Sequence, residues 1–311
     1  MSAVLTAGLL GVALLVSGPA DTVLRVERGE HVLLSDVGGV VHVDGTEGSE
    51  LEVVVDGGRP TGGSVRVSRS GNEIRIRGAA RGHSADVPRD YRVRVPRWMT
   101  LRITGNEAEV EVRGLRAEAE IRVQEGDVRV HDHDGDLTVR ALDGGVWIED
   151  VRGRIQVDAP DNEIRVRRAV GDFVLNSVDG DIDLRDVRAG SVEVATIDGD
   201  IGFEGTLEPG GRSALTTHDG DIALALERDA SVDVRALARD GSFSSTFPVE
   251  VRRMRGGTEV EFRLGAGEAS LRVETFDGDV RVRLRGESDR EGRDRGDRTN
   301  HSQRLSRGGG R

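Results

Sequence analysis

The sequence predicts an all-β protein, a two-sheeted β-solenoid of stacked 18–21-residue coils with Asp-Gly-Asp corners, and three observations predict it. The first is a series of acidic turns: Asp143-Gly144-Gly145, Asp161-Asn162-Glu163, Asp179-Gly180-Asp181, Asp198-Gly199-Asp200, Asp219-Gly220-Asp221 and Asp240-Gly241-Ser242. Their central residues lie 18, 18, 19, 21 and 21 apart. The second is a turn series halfway between, centred on Gly135, Gly153, Gly171 and Gly190 at spacings of 18, 18 and 19. The third is that stacking the repeats gives columns of one chemical kind. Val146, Ile164, Ile182, Ile201, Ile222 and Phe243 form one, and Ile148, Val166, Leu184, Phe203 and Leu224 the next. The other strand supplies Leu137, Ile155, Phe173 and Val192, then Val139, Val157, Leu175 and Val194. A fixed period of this length is the signature of coils that bury their apolar face only by stacking on one another.

The intervening residues, such as Arg129, Arg165 and Asp183, are polar, as period-two alternation on a half-buried strand requires. Small residues, Ala141, Ala159, Ser177, Thr196, Thr217 and Ala238, precede each acidic corner, where the chain turns inside a narrow core. Asn162 in a glycine position fits a left-handed corner. A meander of antiparallel hairpins gives the same alternation and favours Asp-Gly turns. It would not keep the two corner series chemically distinct, nor match residue types better at an 18-residue lag than at nine. An outer-membrane barrel needs aromatic girdles and an apolar outer face, whereas this outer face is charged.

In chain order, Ala3 to Val16 is an apolar run too short to span a bilayer. It is followed by the small residues Gly18 and Ala20, so 1–20 reads as a signal peptide cleaved after Ala20. Residues 21–125 are expected to form irregular first coils and a cap, with strand-like runs at 51–55, 65–67, 74–76 and 91–95 separated by Gly57-Gly58 and Thr61-Gly62-Gly63. The regular solenoid is expected over 126–284, each coil stacking on the last and closing with the repeat at Leu271 to Val280. From Arg285 to Arg311 the chain holds eight Arg, five acids and one large apolar residue, Leu305, so a disordered Arg-rich tail of net charge +3 is expected.

Composition narrows the chemistry of the 311 residues. With no Cys there is no disulfide, thiolate metal site or thiol nucleophile. All 44 basic residues are Arg, which removes Schiff-base and P-loop lysine chemistry. The net charge of −12, and −15 without the tail, repels nucleic acid. Only 3% of residues are aromatic, with Trp98, Trp147 and Tyr91 the larger polar ones, so sugar-stacking platforms are scarce. No Gly-x-Ser-x-Gly elbow occurs, and short coils leave little loop from which to build a cleft.

Three metal readings follow from the motifs. High-affinity intercoil calcium needs Gly-Gly-x-Gly-x-Asp, which these corners lack. His131-Asp132-His133-Asp134 puts two imidazoles on one strand face, and an 18-residue lag places Glu149 beside His131 and Val151 beside His133. The column Arg113, His131, Glu149, Arg167, Arg185 then reads as alternating charge rather than a zinc site. Finally, the acidic ridge of Asp179, Asp181, Asp198, Asp200, Asp219 and Asp221 stacks carboxylates about 4.8 Å apart. Some are expected to titrate above about 4 and to bind calcium or magnesium weakly at several points. No catalytic residue and no cofactor is expected.

Tyr91-Arg92-Val93-Arg94-Val95-Pro96, the serial Asp-Gly-Asp-Ile corners and the closing Thr275-Phe276-Asp277-Gly278-Asp279-Val280 resemble a family of bacterial β-strand-repeat domains of unknown function, described as candidate adhesins. The resemblance covers about residues 21 to 285. It implies a stacked β-strand fold and an envelope setting, and carries no catalytic residues over. The expected function is therefore a non-enzymatic extracytoplasmic repeat protein, an adhesion-type or envelope scaffold. Its expected partner is an envelope component or surface polymer, with no transmembrane segment in the mature chain. A polysaccharide-acting β-helix enzyme is the alternative.

Overall fold

The computed structural model describes residues 13–15, 22–56, 66–78, 89–249, 251–254 and 257–286. The expected signal peptide, apart from the short strand Ala13–Leu15, lies outside the described residues. So do the expected tail beyond Gly286 and the Gly57-Gly58 and Thr61-Gly62-Gly63 separators. Among the described residues every regular element is a β-strand, and no helix is long and apolar enough to cross a membrane.

Alternating apolar residues place their side chains on one strand face, and parallel pairing stacks like on like. One ladder runs Val110, Val128, Val146, Ile164, Ile182, Ile201 and Ile222, each paired with the next in parallel register. The other runs Leu101, Ala119, Leu137, Ile155, Phe173 and Val192, and the neighbouring Val194 continues through Leu215 to Val273. All of these side chains are buried. Each buried Val, Leu or Ile contributes about 1.5–3 kcal/mol, so the stack is held by its two apolar files. The 18-residue register already begins at Leu101, upstream of residue 126, because Leu101-Arg102-Ile103 and Val110-Glu111-Val112 alternate like later coils. Their corner, Thr104-Gly105-Asn106-Glu107, lacks the Asp-Gly-Asp signal.

The C-terminal coils do not stack in chain order, which corrects the expected succession. Ile222 pairs with Val280, and Phe243 pairs with the other side of Val280. Likewise, Ala269–Asp277 lies between Arg212–Asp219 and Val232–Ala238. The last coil is thus inserted between the two that precede it in sequence. The preceding coil can then close the end: Val232–Ala238 pairs antiparallel with Gly257–Leu264, which pairs antiparallel with Val251–Met254. A parallel stack would otherwise expose an open strand edge.

At the other end, His31–Thr46 runs parallel to Thr100–Arg113 on one side. On its other side it pairs with Glu73–Arg77 and Arg89–Pro96. Beyond them, Arg66–Ser70 and Glu50–Asp56 pair antiparallel, and Thr22–Arg25 closes on Glu50–Asp56.

Candidate functional site

The acidic corners stack into one ridge, and its two aspartate files differ in what they do. In the file after the glycine, each carboxylate reaches the next coil. Asp181 Oδ1 accepts the backbone N–H of Asp200 at 2.8 Å, Asp200 Oδ1 that of Asp221 at 2.7 Å, and Asp221 Oδ1 that of Asp279 at 2.8 Å. Asp279 Oδ1 in turn accepts the Ser242 N–H at 2.9 Å and hydroxyl at 2.8 Å. Those two bonds from Ser242 hold the Asp279 carboxyl below the usual carboxylate range, outweighing its slight burial. A donated N–H favours the charged form of a carboxyl.

Behind the ridge, the small column is a second hydrogen-bonded file. Ser177 Oγ donates to the Ala159 and Pro160 carbonyls at 3.0 and 3.1 Å. Thr196 Oγ1 is 3.2 Å from the Val178 and Gly180 carbonyls, Thr217 Oγ1 is 2.9 Å from Gly199 O, and Thr275 Oγ1 is 2.9 Å from Gly220 O. The corner glycines are required by close approach: a Cβ on Gly199 would run into the Gly180 carbonyl of the coil beneath. Asn162 lies outside the left-handed region, contrary to expectation, and its side-chain amide bonds the Leu142 carbonyl at 3.3 Å.

The file before the glycine holds Asp143, Asp161, Asp179, Asp198, Asp219, Asp277 and Asp240, all exposed. Apart from Asp219, which is 3.2 Å from His218 Nδ1, these side chains have no partner among the described residues. Beside them runs a file that the sequence reading missed: Leu142, Pro160, Val178, Ile197, His218 and Phe276. Four of its members are exposed apolar side chains, Leu142 at 55%, Val178 at 38%, Ile197 at 52% and Phe276 at 46%. Backbone bonds stack this file directly, from Val178 N–H to Pro160 O at 2.8 Å and from Ile197 N–H to Val178 O at 3.1 Å. The His218 and Phe276 rings stack at 4.8 Å between centroids. The signal was present in sequence, as the residue immediately before each ridge aspartate, apolar or aromatic up to Phe276 and followed by Arg239 before Asp240.

The opposite corner corrects the histidine pair. His131 and Glu149 are register partners, as are His133 and Val151, with 3.5 Å from His131 Nδ1 to the Glu149 carboxylate. The two imidazoles do not share a face. Asp132 has φ of 50°, a left-handed conformation that advances the side-chain phase by one residue, so His131 points outward while His133 is only 1% exposed. Asp150, Arg168 and Asp186 repeat that conformation at 18-residue intervals. Neither ring nitrogen of His133 has a hydrogen-bond partner, and burial holds its pKa below the ordinary value against the weaker pull of the nearby Gly135 and Asp136 backbone and of Asp134 and Asp136.

Among the described residues no three His, Asp or Glu side chains converge as a metal-ligand set. The tryptophan faces carry guanidinium groups: Arg129 stands 4.7 Å from the Trp147 ring centroid and Arg28 5.3 Å from that of Trp98. A hollow of about 310 Å³ beside Trp98 is lined by Glu30, Glu73, Glu118, Glu120 and Arg102. Glu30, Glu73 and Glu120 are already paired with Arg69, Arg75 and Arg102.

With the geometry described, comparisons place part of the chain. No curated protein matches it. A candidate adhesin of known structure from Parabacteroides distasonis is 14% identical, covering 86% of this chain and 98% of that one at a TM-score of 0.36. One from Bacteroides fragilis is 12% identical over 85% of this chain and 96% of that one, at 0.32. A candidate cell adhesion protein from Clostridium sporogenes is 9% identical over 86% of this chain and 100% of that one, at 0.21. At those TM-scores none of the three assigns a function to this chain. The family model Toastrack DUF4097 matches residues 169–283, the segment whose Asp-Gly-Asp corners and closing repeat carry the resemblance read from sequence. Over residues 169–283 this chain is similar to the Toastrack DUF4097 family.

Proposed function

We propose that the protein is a non-enzymatic extracytoplasmic scaffold, a two-sheeted β-solenoid whose Asp-Gly-Asp corners form its contact surface. The observation that supports this reading is the pair of outward files on the ridge. Exposed Leu142, Val178, Ile197 and Phe276 stand beside carboxylates that have no structural task. An exposed apolar stripe rimmed by charge is how a soluble protein marks a contact site. In this reading residues 1–20 are removed on export, and the ridge meets an envelope component or surface polymer.

The test is retention of envelope material by the immobilised mature chain, compared with an Ile197→Ser/Phe276→Ser variant. Retention by the parent and its loss in the variant is the expected result. The polysaccharide-acting alternative draws support from the hollow lined by Trp98, Glu118 and Glu120. Release of soluble sugar fragments by the parent, abolished by Glu118→Gln, would overturn the scaffold reading in its favour.

A further inference from the structure

The ridge has a charge and shape that select its partner. At about 4.8 Å spacing, the six-member apolar file is about 24 Å long and the seven-member aspartate file about 29 Å. The apolar members call for aliphatic contact, and the unpaired carboxylates call for cations at short intervals. A second copy of the ridge is a poor occupant, because carboxylate would face carboxylate.

The chain itself carries the complementary segment. Residues 298–311 contain Arg298, Arg304, Arg307 and Arg311, no Asp or Glu, and one large apolar residue, Leu305. Guanidinium groups suit this surface because each presents a fork of donors to carboxylate oxygens. Reach is sufficient. The last strand, Val280–Leu284, leads from the ridge at Gly278 to Gly286. That is eight residues, or about 26 Å at 3.3 Å per residue. The twelve residues from Gly286 to Arg298 span up to about 40 Å when extended.

We propose that the acid-free segment 298–311 docks along its own chain's ridge. Its arginines lie against Asp179, Asp198 and Asp219, and Leu305 lies against the apolar file. The inference rests on the ridge being a contact surface, and it gives that surface an internal occupant that an external partner has to displace.

The absence of cysteine makes the test clean. A nitroxide on Ser302→Cys of the full chain is read by the loss of amide signal intensity in nuclear magnetic resonance at low salt. The signals of Val178, Ile197 and Phe276 should fall to half or less and recover in 1 M sodium chloride. An Asp179→Asn/Asp198→Asn/Asp219→Asn variant, confirmed folded by an unchanged melting temperature, should show at least twofold weaker broadening. Equal broadening at outward residues away from the ridge, such as Arg113 and Arg167, or no broadening, would overturn the proposal. So would broadening seen only when labelled and isotope-enriched chains are mixed, since the segment would then come from another copy. Envelope retention that depends on Ile197 while the label leaves the ridge untouched would sink this inference and leave the contact-surface reading standing.

Discussion

Asp200 is tied to the coil on each side of it. Its backbone N–H donates to Asp181 Oδ1 at 2.8 Å, and its own Oδ1 accepts the N–H of Asp221 at 2.7 Å. Asp198, two residues away, makes no side-chain hydrogen bond or ion pair among the described residues. Identical side chains on one corner therefore have different energetic roles. Asp200→Ala should cost about 1–3 kcal/mol, because it leaves the Asp221 amide without its acceptor. Asp198→Ala should change stability by less than about 0.5 kcal/mol, as an exposed substitution does. Urea denaturation of both variants checks the contrast, and equal losses would refute it.

Ile182 sits between Ile164 and Ile201 in the apolar ladder and is fully buried. Ile182→Asp puts a carboxylate where no partner can reach it and should cost roughly 4 kcal/mol or more. A variant that melts like the parent would disprove the register.

How much of this was legible in sequence follows from what each feature depends on. The ladders were legible because Ile164, Ile182 and Ile201 repeat one residue type at one spacing. The burial of His133 was not, because it turns on the left-handed backbone of Asp132, and aspartate announces that conformation far less clearly than glycine. The insertion of the last coil was hidden for the opposite reason. Val280 and Phe243 fit equally well above Ile222, so the column pattern cannot rank them. The order depends on the antiparallel pairing of Val232–Ala238 with Gly257–Leu264. The cross-coil bonds of Asp200, against the idle Asp198, required atomic positions.

His133 makes the stability depend on pH. Burial disfavours its charged form, so its folded pKa lies below the unfolded value of about 6.5. The unfolded chain then binds more protons, so stability is complete above pH 6.5 and is lost as pH falls from there through the folded value. The lowered carboxyls of Asp150, Asp233 and Asp279 act in a separate window, contributing stability that is lost only as pH falls below about 4. The nearby carboxylates of Asp134 and Asp136 pull the other way, more weakly than burial, and only moderate the effect. Replacing His133 by Val, to match its register partner Val151, should stabilise the chain by about 1 kcal/mol at pH 7 by removing two unpaired polar atoms. It should also flatten the melting temperature between pH 7 and 5. A variant with the parent's pH profile would show that His133 is not the group responsible.

The ridge exists only if the coils stack in parallel register with the last one inserted, so the order of that stack is the measurement that matters most. Ala223 pairs with Arg281, and Arg281 pairs with Ser244, all three on outward positions. Neighbouring Cα atoms in such a ladder are about 4.8 Å apart, within disulfide range, whereas two steps of about 10 Å are not. In a chain without native cysteine, the Ala223→Cys/Arg281→Cys and Arg281→Cys/Ser244→Cys pairs should each close a disulfide under mild oxidation, and the Ala223→Cys/Ser244→Cys pair should stay reduced. Closure of the Ala223→Cys/Ser244→Cys pair, with the other two open, would mean that the coils follow chain order and that Phe276 does not stack on His218.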